Sequence, residues 1–228
     1  MTGRNLCFDP FFFMFLDSWE PAFYIFDRWW LVGEKICRPC FEKDVTNMHD
    51  ERVGGLKKGL VQVYTGNGKG KTTASLGLAF RAAGHDFRVY VMQFMKGQTV
   101  YGELEAARRL GPNIVIEQVG RKAFVTREPE PQDLEMAREA FQRARVLVAS
   151  GDYDLVVLDE LNCAVDYGLI PLEEVKAMIR DKAYHTELVM TGRGAHPDII
   201  ELADLVTEMR EIKHYYNEGQ PARKGIES

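Results

Sequence analysis

An α/β fold, built on a parallel sheet with helices on both faces, is what this sequence predicts, and three observations predict it. From residue 59 onward, short apolar runs of strand length alternate with amphipathic runs of helix length. A glycine-rich stretch, Thr65-Gly66-Asn67-Gly68-Lys69-Gly70-Lys71-Thr72-Thr73, separates the first such strand from the first such helix. Further on, Asp154-Leu155-Val156-Val157-Leu158-Asp159-Glu160 sets apolar residues ahead of two carboxylates, the pattern of a buried parallel strand that ends at a metal site.

Taken in order, residues 59–64 read as the first strand and residues 74–83 as the helix behind the glycine-rich turn, closed by Gly84. Residues 87–94 form the next apolar run, followed by a turn at Lys96-Gly97 and a short helix over 102–110. A strand is expected over 113–119. Over 132–150, Leu134, Ala137, Phe141, Ala144 and Val148 share one stripe with charges between them, so this segment is an amphipathic helix. After the Asp159 strand, Pro171 opens a helix over 172–180. Residues 187–191 give another strand, ending in Gly192-Arg193-Gly194, and a helix near 197–203 leads to a last strand over 205–209. This alternation is that of a P-loop NTPase-like (RecA-like) parallel sheet, and such sheets bind ligands at the carboxyl ends of their strands. The glycine-rich loop, Asp159-Glu160 and Arg193 all fall at such ends.

The chemistry follows from the residue types. Glycines let successive backbone N–H groups turn inward, and the helix behind them adds partial positive charge, so the loop from Thr65 to Thr73 can cradle a polyphosphate. Lys71 would reach the phosphates, Lys69 adds a second ammonium, and the Thr72 hydroxyl would face a Mg²⁺ (or Mn²⁺) ion. The loop opens on Thr65, with its glycine one residue later than usual, at Gly66. Asp159 would hold the metal directly or through water, and Glu160 could ligate it or act as a base. Arg193, between two glycines, suits a bidentate clamp on phosphate oxygens.

Composition narrows the alternatives. The 228 residues allow one domain plus an extension. A formal net charge of −5, with no Lys/Arg-rich block, argues against nucleic acid as a partner. No apolar run approaches the ~20 residues of a membrane span. Four cysteines in a chain of this length are not a disulfide framework, so a reducing, cytoplasmic setting is expected. His49, His85, His185, His196 and His214 lack metal-ligand spacing and read as surface or turn residues.

Residues 1–50 are expected to be an atypical aromatic-rich extension and residues 51–228 the domain. Trp19, Trp29 and Trp30, most of the phenylalanines, and Cys7, Cys37 and Cys40 all precede residue 48. Asp9-Pro10 ahead of the apolar run, and Asp17 and Glu20 after it, do not suit a signal peptide. Cys37-Arg38-Pro39-Cys40 is a lone C-x-x-C, two ligands short of a zinc site. The segment is either an apolar cap on the domain or a partner, or upstream sequence not normally translated, with Met48 the natural start.

The glycine-rich loop, Val91-Met92-Gln93-Phe94-Met95-Lys96-Gly97, Val156-Val157-Leu158-Asp159-Glu160-Leu161 and Thr191-Gly192-Arg193-Gly194 together resemble the P-loop type of ATP:corrinoid adenosyltransferase. The tail does too: Arg210, Lys213-His214, Tyr216, Gly219, Ala222 and Gly225-Ile226-Glu227 fall in that family's order and spacing. The resemblance covers about residues 57–227, and the shifted loop glycine is one of its traits. It implies that ATP is a co-substrate whose ribose C5′ faces the Co(I) ion of a reduced corrinoid, with triphosphate as the leaving group. The product would be adenosylcobalamin or adenosylcobinamide. Lys71, Lys69, Arg193 and the loop N–H groups would then stabilise the leaving group, and Mg²⁺ would be held by Thr72 and Glu160. No base is required, because Co(I) carries no proton.

The resemblance also implies that Phe124 lies near the corrin ring and favours loss of the lower axial ligand. Thr126 and Ser228 stand where family members often carry aromatics. A homodimer and an electron-donating reductase such as a flavoprotein are implied in the same way. Two other classes fit the loop and the metal residues: a P-loop phosphotransferase or ATPase, and a non-catalytic, ATP-gated corrinoid carrier.

Overall fold

The computed structural model describes residues 55–97, 101–121 and 128–227, together with the strand pairing of 31–32 and 35–36. The chain divides into two units, Met1–Asp50 and Glu51–Ser228. In the first, β1 (Leu31–Val32) and β2 (Lys35–Ile36) pair antiparallel, with Leu31 opposite Ile36 and Val32 opposite Lys35.

In the second unit the element order is β3 (Val61–Thr65), α1 (Lys71–Ala83), β4 (Val89–Gln93), α2 (Gly102–Leu110), β5 (Ile114–Gln118) and α3 (Pro131–Ser150). There follow β6 (Leu155–Asp159), α4 (Leu161–Asp166), α5 (Leu172–Arg180), β7 (Glu187–Thr191), α6 (Pro197–Leu202) and β8 (Leu205–Glu208), and a 3-10 turn at Tyr215–Glu218. Six strands form one sheet in the order β5-β4-β6-β7-β3-β8, every pairing parallel. The expected α/β sheet is present.

Side chains alternate across a strand, and that alternation divides the core in two. Val156 and Leu158 of β6, Met92 of β4, Leu188 and Met190 of β7, and Val61 and Val63 of β3 pack on one face with Ala140, Phe141 and Ala144 of α3, Val175 and Met178 of α5 and Ile199 of α6. Leu155, Val157, Val89, Val91 and Val189 pack on the other face with Ala79 and Ala82 of α1 and Ala107 of α2. Helices therefore cover both faces. Every residue of β6 is buried, as its unbroken apolar run requires. Each such Val or Leu contributes roughly 1.5–3 kcal/mol by leaving water. The result is a stiff central strand with Asp159 at its carboxyl end.

Three differences from the sequence reading bear on the site. α1 starts at Lys71, not at residue 74, so Lys71 and Thr72 are in the helix's first turn. The six-residue α4 follows Glu160 directly, too short to leave an amphipathic pattern. The edge strand β8 is exposed along its whole length.

Candidate active site

The carboxyl ends of β4, β6, β7 and β3, four adjacent strands, converge on one cavity of about 540 Å³. Asn67, Gly68, Lys69, Gly70, Lys71, Thr72 and Thr73 form one wall of it, and Glu160 and Arg193 another. Thr65 and Gly66 stand behind the loop: Thr65 Oγ1 accepts the Ala195 N–H at 3.3 Å. The residues singled out in the sequence are thus brought together, with the exception of Phe124, which lies outside the described residues, as do Thr126 and Ser228.

The loop's conformation needs glycine where the chain turns against φ. Gly70, at φ 123°, leads into α1, whose N-terminal N–H groups lack partners within the helix and suit an anion. Lys71 is buried, and its Nζ donates to the carbonyls of Gly66 (2.7 Å) and Gly68 (2.9 Å). Burial lowers its pKa below the ordinary lysine value; the Glu160 carboxylate works against that shift and the Arg193 guanidinium adds to it.

Asp159 is fully buried, and donors surround it. Thr72 Oγ1 (2.9 Å) and Thr191 Oγ1 (2.6 Å) donate to Oδ1, while Lys96 Nζ (2.9 Å) and Gln93 Nε2 (3.4 Å) reach Oδ2. Thr191 in turn accepts the Glu160 N–H at 3.1 Å. Glu160 sits in the left-handed region at φ 63°, which costs a non-glycine residue of order 1–3 kcal/mol and turns its side chain from the strand line to the cavity wall. The turn after β7 leans on α4. A Cβ on Gly192 (φ 132°) would stand 2.9 Å from the Cys163 nitrogen, and Cys163 Sγ accepts the Arg193 N–H at 3.1 Å. Burial, with the neighbouring Glu160 carboxylate, pushes the Cys163 thiol up to about 12, so it stays a thiol.

Among the described residues no group of three or more His, Cys, Asp or Glu side chains is gathered as a metal cage. One carboxylate and one hydroxyl at the cavity, Glu160 and Thr72, fit Mg²⁺ in its usual mode, in which a few protein oxygens are completed by substrate phosphates and water.

The sequence placed the tail within the resemblance but did not predict that it lines the cavity. β8 runs beside the loop: Met209 donates its N–H to Thr65 O (2.8 Å), and its carbonyl accepts the Gly68 N–H (2.7 Å). A Cβ on Gly66 would stand 2.5 Å from Met209 O, and one on Gly68 2.8 Å from it, so these two glycines make room for the tail. Beyond it, Glu227 accepts from the Tyr215 hydroxyl, the Arg223 N–H (2.7 Å) and the Arg223 guanidinium (3.1 Å), which hold its carboxyl down at about 2. His214, Gly225, Ile226 and Glu227 also line the cavity. His214 is therefore a wall residue and the N-cap of the 3-10 turn; His85 and His196 are exposed, as expected.

A phosphate-binding loop on a parallel sheet, facing an acid and an arginine across one cavity, defines a P-loop nucleotide-binding protein. Residues 57–228 match the family described as ATP:corrinoid adenosyltransferase BtuR/CobO/CobP. The chain is 41% identical over 172 residues to the corrinoid adenosyltransferase of Escherichia coli K12, covering 75% of this chain and 86% of that protein. It is 40% identical over 190 residues to corrinoid adenosyltransferase CobA of Salmonella typhimurium, covering 82% and 95%. With the corrinoid adenosyltransferase of Pseudomonas aeruginosa it shares 38% over 180 residues, 78% and 89% of the two chains. The chain belongs to the ATP:corrinoid adenosyltransferase family.

Proposed function

We propose that this protein transfers the 5′-deoxyadenosyl group of ATP to the Co(I) ion of a reduced corrinoid and releases inorganic triphosphate. The observation that carries the reading is the family match running through a single cavity that holds the loop, Glu160 and Arg193. The cobalt electron pair attacks C5′, the cobalt–carbon bond forms, and the C5′–O bond breaks with its pair leaving on the triphosphate. Lys71, Lys69, Arg193 and the loop N–H groups stabilise that departing charge. Thr72 and Glu160 would hold Mg²⁺, which would supply further neutralisation of the leaving group's charge, while Asp159 orients Thr72 from behind. On the resemblance alone, Phe124 is assigned the role of favouring loss of the lower axial ligand. A homodimer in the cytoplasm, supplied with electrons by a flavoprotein-type reductase, completes the reading; among the described residues no helix is long and apolar enough to cross a membrane.

Incubation with ATP, Mg²⁺ and chemically reduced Co(I) corrinoid tests it. The expected products are a light-sensitive adenosylcorrinoid and intact triphosphate in equal amounts. ADP or orthophosphate as the stoichiometric product would instead make the protein a phosphotransferase or ATPase, and binding without turnover would make it a carrier. Phe124→Ala should slow the reaction more when Co(II) must be reduced on the protein than when Co(I) is supplied.

A further inference from the structure

Lys96, in the turn beyond β4, has no part in the chemistry above. Its ammonium lies 2.9 Å from Asp159 Oδ2 and 5.4 Å from the centre of the Tyr101 ring, at the cavity wall. Four donors converge on the two Asp159 oxygens, and Lys96 is the cation among them. A carboxylate with no exposed surface needs such a counter-charge, because an unpaired buried ion is strongly destabilising. The two donors on Oδ1 are the ones that set the metal ligands. Thr72 offers its own hydroxyl, and Thr191 fixes the Glu160 backbone.

We infer that Lys96 is a positioning residue for the metal–nucleotide site. It neutralises Asp159 and fixes that carboxylate as an acceptor, and through it aligns Thr72 and Glu160. It does not bind the triphosphate itself. The inference rests on the reading that Thr72 and Glu160 hold the metal of the bound nucleotide.

The test uses the full chain and needs no turnover. Mn²⁺ binding to the protein–ATP complex is followed by loss of the free-ion EPR signal, and ATP binding is measured separately in EDTA. Lys96→Met should weaken Mn²⁺ binding by about tenfold or more, the usual effect of removing a group that orients metal ligands, and leave metal-free ATP affinity unchanged. Lys96→Arg, which keeps the cation, should restore most of the loss. In an Asp159→Asn background the Lys96→Met change should add little, because the residue acts through Asp159. If the methionine variant does not fold, Lys96→Gln, which keeps a donor without the charge, takes its place. Unchanged Mn²⁺ binding in Lys96→Met would overturn the inference while leaving the proposed reaction intact. So would a loss of metal-free ATP binding, or an undiminished effect in the Asp159→Asn background, since either would place Lys96 on the triphosphate. If the wild-type complex binds Mn²⁺ no more tightly than ATP alone, the metal-site reading fails and takes the inference with it.

Discussion

Replacing Lys71 with alanine perturbs the residue on which the phosphate cradle depends most. Its ammonium donates to two loop carbonyls at 2.7 and 2.9 Å. Nucleotide binding therefore exchanges neutral acceptors for charged phosphate oxygens, and the net loss in the variant is that of one charge-assisted contact. Such a contact is worth roughly 1.5–3 kcal/mol, or about 10- to 150-fold in the Kd for ATP. The folded state should suffer less, because the substitution removes a buried cation along with its two hydrogen bonds. Titration calorimetry with ATP gives the Kd, a thermal melt gives the stability, and triphosphate release gives the rate. A variant that melts like the wild type, binds ATP with unchanged Kd and turns over normally would refute the assignment of this loop.

The lowered pKa of Lys71 has a sign that can be checked. At alkaline pH, between its depressed value and that of an ordinary lysine, the free protein holds the amine partly neutral. ATP favours the charged form, so binding should take up a proton, seen as a binding enthalpy that varies with buffer ionisation in the wild type and not in Lys71→Ala. Gly66→Ala puts a Cβ 2.5 Å from Met209 O at φ 94°, and should cost roughly 1–3 kcal/mol in a melt while weakening ATP binding. A chain begun at Met48 should fold and bind ATP; insolubility or loss of a cooperative melt would make residues 1–47 part of the core.

Much of this fold could be read in the sequence because its central strands β4, β6 and β7 are largely buried and its helices are one-sided. The apolar run before Asp159 and the stripe from Leu134 to Val148 announce their elements directly. The strand order could not be read, since β3 pairs with β7 and β8, far along the chain, and not with β4. The placing of the loop, Glu160 and Arg193 followed from the rule that α/β sheets bind at strand carboxyl ends. What periodicity does not encode was missed. α4 owes its start to a left-handed Glu160, Lys96 reaches Asp159 from a neighbouring strand end, and the tail joins the cavity through the Met209 backbone.

That last contact has a consequence for the order in which the molecule is made. The phosphate loop, Thr65 to Thr72, leaves the ribosome early, yet both strands that flank β3, and the Met209 peptide against which Gly66 and Gly68 rest, are among the last parts of the domain to emerge. Such distant pairings form slowly, because the intervening chain must be closed before they return any stabilisation. A nascent or prematurely terminated chain that stops before β8 thus carries the whole phosphate-binding motif without a loop shaped to use it. Nucleotide binding then reports completion of synthesis, and a pulse of labelled ATP on arrested chains of increasing length should find no bound nucleotide until the residues around Met209 have cleared the exit tunnel.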